Sequence, residues 1–167
     1  MNEENNLKEK LSTMIEDNFH NAFWDKLEED LKENNHKMLL DLLDEIRMRI
    51  CNFVPNRKDI HTEVYEKIDV KFIEQMLTHN AIDNKYIYDL INYIITQIRD
   101  FDSEEVEPNY EMWRTVTNSH LEKETKLYIL LPKFLREVFF RIDSLDDFIE
   151  SFKQSEEYKI LTENKQD

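Results

Sequence analysis

The sequence predicts an all-α protein, a single-domain bundle of about seven to nine helices. Two observations carry this. Apolar residues recur at helical spacing almost from end to end, and the strict alternation that marks strands is hard to find. The chain has 167 residues and is 40% hydrophobic, enough for one real core and too little for two. The expected domain runs over 1–161, with its main body at 23–118 and a frayed tail over 162–167.

Each element has a local reason. Over 7–31, Leu7, Leu11, Met14, Ile15, Phe19, Phe23, Leu27 and Leu31 step mostly by four. Such steps drift by about 40° each on a 3.6-residue helix, so the stripe winds around the segment. That implies partners on more than one side, or a bend near Asn18–Asn21; Asn34-Asn35 then ends the helix. Over 36–53, Leu39, Leu43, Ile46, Ile50 and Phe53 make a cleaner face, widened by Leu42. Glu45 and Arg49 form a favourable i,i+4 pair opposite, and Pro55 is the stop.

Asp59 is placed to cap a short helix with Ile60, Val64 and Ile68 inward, and Asp69 another with Val70, Ile73 and Leu77 inward. Asn80 stands where a helix end would take glycine in the left-handed conformation. Asp83 caps the strongest helix, 84–101, expected at the centre of the fold. Residues 102–108 read as an acidic connection, and Tyr110 begins a short helix. Pro132 suits the first turn of a further helix carrying Phe134, Leu135, Val138, Phe139 and Ile142. Ser144 with Asp147 reads as a capping box for one more.

Charge and composition exclude whole classes. Thirty-seven acidic residues against 22 Lys+Arg give a net charge of −15, which disfavours nucleic acid and anionic lipid. Without glycine there is no phosphate-binding loop and no nucleophile elbow. Cys51 is alone, so no intrachain disulfide forms. The polar, acidic start Met1–Asn6 is unlike a targeting peptide, and no apolar run reaches the ~18 residues of a membrane span. An intracellular, cytoplasmic protein without membrane insertion is expected.

The five histidines lie 16 or more residues apart, giving no zinc spacing, and no calcium loop accompanies the acidic runs. No serine sits in a nucleophile motif. No metal, cofactor or catalytic residue is therefore expected. Trp24 and Trp113 read as core residues ahead of partner anchors. The chain has two alanines against 15 Asn and 15 Lys, a bias that points to an AT-rich genome.

By residue 113 the order of motifs resembles the T-complex protein 11 family. Phe23-Trp24-Asp25 is similar to that family's Phe-Trp-Asp block, and Leu42 to Arg47 followed by Pro55 to its Leu-Leu-x-Glu-Ile-Arg helix. Ile68-Asp69 through Gln75, and His79-Asn80-Ala81-Ile82-Asp83, resemble the family's next two stretches, with Asn80 in place of glycine. Arg99-Asp100 followed by Glu104-Glu105-Val106 is similar to its Arg-Asp-Glu-x-Val segment. Thr96-Gln97-Ile98 replaces the family's Cys-Ala-Pro. The ordered set covers about 23–106 and reads as a short, truncated member.

The resemblance implies a non-enzymatic helical interaction module that modulates intracellular cAMP-dependent protein kinase signalling. The alternative is a structural or packaging protein, for example a component of a large DNA virus. Phe23, Trp24, Asp25, Glu45, Arg47, Asn80, Asp83, Arg99 and Asp100 are the motif residues. Ion pairing within the chain and contact with a partner weigh equally for the charged pairs Glu45, Arg47, Arg99 and Asp100. The acidity implies a protein partner with a basic contact face, met by Glu104 and Glu105. Partner identity and oligomeric state stay open.

Overall fold

The computed structural model describes residues 2–155, 159–161 and 163. Among these are seven α-helices and no strand: α1 (Asn2–Lys32), α2 (Lys37–Phe53), α3 (Lys58–Lys67), α4 (Val70–Thr78), α5 (Asn84–Phe101), α6 (Glu107–Glu122) and α7 (Leu127–Lys153). A 3₁₀ turn, Glu104–Val106, leads into α6. The tail expected over 162–167 lies, Glu163 apart, outside the described residues.

α5 is the central element. Its wide apolar face, Ile87, Leu90, Ile91, Ile94, Ile95 and Ile98, is wholly buried, and it packs against α2, α6 and α7. α7 runs antiparallel to α1: the Lys32 ammonium lies 5.2 Å from the Tyr128 ring, and Trp24 lies beside Phe139. Asp83 accepts from the Lys85 N–H at 2.9 Å and Asp69 from the Phe72 N–H at 3.1 Å, capping α5 and α4.

Three helices end without glycine. Asn34, Asn80 and Glu124 take φ of 61°, 51° and 56°. In each case the next residue's N–H bonds a carbonyl five residues back: Asn35 to Asp30 and Ala81 to Met76 at 2.8 Å, Thr125 to His120 at 3.1 Å. This is the closing bond of a Schellman turn, and it satisfies carbonyls the helix end leaves orphaned.

Several local expectations are corrected. Asp59 is not a cap: α3 starts from Arg57, whose guanidinium grips Asp59 through two bonds of 2.8 and 3.0 Å, leaving no side-chain cap. The acidic stretch 102–108 is largely structured, because Ser103 caps the 3₁₀ turn and Pro108 sits in the first turn of α6. Pro132 lies inside α7 and is buried, five residues past its start. It forfeits one backbone bond, which the continuous buried stripe from Leu130 to Leu145 outweighs. Ser144 opens no capping box; mid-helix, its hydroxyl donates to the Phe140 carbonyl at 3.0 Å. α1 is one continuous helix through Asn18–Asn21, and its drifting stripe is buried only near its end, at Trp24 and Leu27.

Candidate protein-interaction site

α1, α2 and α7 border a shallow, open groove of ≈ 640 Å³. Its apolar lining comes from the exposed Phe19 and Phe23 and the buried Trp24 of α1, Leu42 of α2 and Phe139 of α7. Trp24 holds the lining together: Phe23 meets it edge-on at 4.9 Å between ring centroids, and Phe139 lies at 6.2 Å. Its indole Nε1–H is buried with no hydrogen-bond partner among the described residues. Glu16, Glu45 and Asp143 stand at the rim with Arg49 and His20.

Arg49 is the one guanidinium in the groove lining, and it is already engaged. It donates to Asp143 at 2.7 Å and to Asp146, both on α7. Partial burial disfavours the Arg49 cation, but the two aspartates overcome this and raise its pKa above the ordinary value. The expected Glu45–Arg49 pair is replaced by this bridge between α2 and α7. Glu45 is left exposed, with no ion-pair partner among the described residues, and the rim keeps a negative excess.

The groove gathers Phe23, Trp24 and Glu45 from two separate motif blocks. The other motif residues lie elsewhere. Asp25 is exposed on α1. Arg47 pairs with Asp44, donates to the Ile68 carbonyl at 3.3 Å and covers the Tyr65 ring at 4.3 Å. Arg99 reaches Asp100 at 3.4 Å and Glu111 at 3.3 Å. Asn80 and Asp83 shape the connection between α4 and α5. Glu104 and Glu105 are exposed in the 3₁₀ turn, outside the groove lining.

Sequence reasoning missed Phe139, Asp143 and Asp146 as parts of this site. Their only trace was the i,i+3 spacing of the two aspartates, which puts them on one face of α7. A second polar cluster is structural. Arg114 of α6 donates to the Asn92 and Thr96 side chains of α5 at 2.8 Å each, and Asn92 and Asn118 exchange amide bonds at 3.0 and 3.3 Å. Among the described residues no group of three or more His, Cys, Asp or Glu is placed to hold a metal ion. No described helix is long and apolar enough to cross a membrane.

The T-complex protein 11 family matches this chain over residues 1–101. The chain belongs to that family. T-complex protein 11 homolog from Homo sapiens is 27% identical over 97 residues, covering 54% of this chain and 19% of the human protein. The chain thus spans about a fifth of that relative's length. No solved structure matches. The family segment comprises α1 to α5, so it supplies the α1 and α2 walls of the groove. α7, the third wall, lies beyond the matched T-complex protein 11 region.

Proposed function

We propose that this chain is a non-enzymatic helical interaction module whose α1–α2–α7 groove receives a partner segment with an apolar anchor and basic flanks. Through that contact it modulates intracellular signalling by cAMP-dependent protein kinase, the role that family resemblance implies. One observation carries the reading: Phe23, Trp24 and Glu45, from motif blocks some twenty residues apart, line one groove with an apolar lining and an acidic rim. Aromatic anchors in such a pocket, ringed by complementary charge, are how helical modules hold peptides.

The test is calorimetric titration with purified regulatory and catalytic subunits of cAMP-dependent protein kinase. Binding is expected for the native chain and its loss for Glu45→Arg and Phe23→Ala. Both side chains are exposed, so the variants should keep the native circular dichroism spectrum. Equal affinity of native and Glu45→Arg chains would rule the groove out. An absence of binding by either subunit would rule out the kinase link.

A further inference from the structure

We propose that the cavity between α6 and α7 binds a small apolar carboxylic acid, with a chain of about eight carbons inside and the carboxylate at the mouth. Both helices pack on α5, and they meet through aromatic rings: Trp113 stacks on Phe134 at 5.6 Å, and Arg141 of α7 covers Trp113 at 4.5 Å. Beside this prop lies a cavity of ≈ 230 Å³, partly open to solvent. The buried Leu130 and Phe134 and the half-buried Ile129 make its walls, and the exposed Val116, His120 and Lys133 stand at its mouth. It shares no lining residue with the α1–α2–α7 groove.

Thr117 gives the first sign of a ligand. The residue is 5% exposed, yet its hydroxyl has no hydrogen-bond partner among the described residues, and its oxygen keeps access to the cavity it lines. Thr13, Thr62 and Thr115 each satisfy their hydroxyls on the carbonyl four residues back, the usual solution in a helix. Thr117 does not. A buried hydroxyl without a partner carries a desolvation cost, which a bound acceptor in the cavity would remove.

Charge sets the sign of that acceptor. Residues 113–141 carry six lysines and arginines against three glutamates, in a chain whose net charge is −15. Neither Lys133 nor His120 has an ion-pair partner among the described residues. Glu137, the one carboxylate of the lining, is held by Arg141 at 2.9 Å. The cavity therefore offers an anion a free ammonium and a free hydroxyl, and hydrogen bonds of that kind to a carboxylate are charge-assisted. A single ammonium balances a single charge, which favours a carboxylate over a phosphate monoester. Size sets the rest. An apolar cavity of ~150 Å³ holds benzene, so in proportion ≈ 230 Å³ holds roughly nine heavy atoms, too few for a long acyl chain or a peptide helix.

Calorimetric titration of the full chain with sodium octanoate, kept below micelle formation, tests this, and one molecule per chain is expected. Octanol and octylamine lack the anion and butyrate lacks the chain length, so each should bind about tenfold more weakly or worse. Lys133→Glu removes the ammonium and Val116→Trp fills the mouth, and each should weaken octanoate by about tenfold or more. Both positions are exposed, so circular dichroism should show the bundle intact. Thr117→Val keeps the shape without the hydroxyl; it should weaken octanoate by about threefold or more and leave octanol unchanged. Glu45→Arg, the groove variant, should bind octanoate like the native chain, which separates this cavity from the proposed partner site. No binding at millimolar octanoate, several molecules per chain, or octanol or octylamine bound as tightly would overturn the proposal. So would native affinity in Lys133→Glu, Val116→Trp or Thr117→Val, or its loss in Glu45→Arg.

Discussion

Asn34, Asn80 and Glu124 hold positive φ where other chains use glycine, and they do not bear it equally. The short polar side chain of asparagine tolerates the left-handed region, while a glutamate Cβ meets the carbonyl clash without local compensation. Glu124→Gly should therefore stabilise by about 0.5–1 kcal/mol, and Asn80→Gly should be neutral or mildly stabilising. Asn80→Val should lose about 1–2 kcal/mol, because branching at Cβ worsens the clash. Urea midpoints for the three variants check this. Tyr93 has a buried hydroxyl with no partner among the described residues. Removing such an orphan in Tyr93→Phe should gain about 1 kcal/mol at neutral pH. Burial, then the charges of Glu63 and Cys51, push the Tyr93 phenol up to about 12. The unfolded phenol ionises near 10, so this contribution to stability is complete below that pH and lost as pH rises towards 12. Tyr93→Phe should flatten that part of the alkaline decline in denaturation midpoint.

At the level of elements, ends were legible wherever one side chain decides them. Asp69, Asp83 and Pro55 mark the bounds of α4, α5 and α2 because a cap or a proline acts within one turn. α7 was not legible. Pro132 and Ser144 carry local signals to start a helix, and the buried stripe running past both overrides them. The groove was half legible for a related reason. Motif residues named Phe23, Trp24 and Glu45, but Arg49 chooses between Glu45 on its own helix and two aspartates about a hundred residues away, which only packing decides. That choice has a measurable weight. Arg49 ties α2 to α7, yet Asp143 and Asp146 are largely exposed, so the pair is screened. Arg49→Ala should cost about 1 kcal/mol, part of it lost packing of the side-chain stem, with the ionic part fading at high salt. Thermal melts at low and high sodium chloride separate the two parts.

For the whole molecule, 15 excess negative charges on 167 residues leave a field of one sign over much of the surface. Six of the seven arginines, Arg47, Arg49, Arg57, Arg99, Arg114 and Arg141, hold carboxylates of the same chain, and the lysines are too few to offset 37 acidic residues. Such a field accelerates encounter with a basic partner, and salt weakens that acceleration as the Debye length shortens. Binding of a basic partner at the groove should slow as salt rises, with the loss in the association rate rather than in dissociation. Reversing Glu104 and Glu105 in the exposed 3₁₀ turn should slow that association too, by weakening the field without unfolding the chain. Stopped-flow association with a basic partner, run over a sodium chloride series, measures both effects. A groove rate independent of salt would mean that the field plays no part in partner capture.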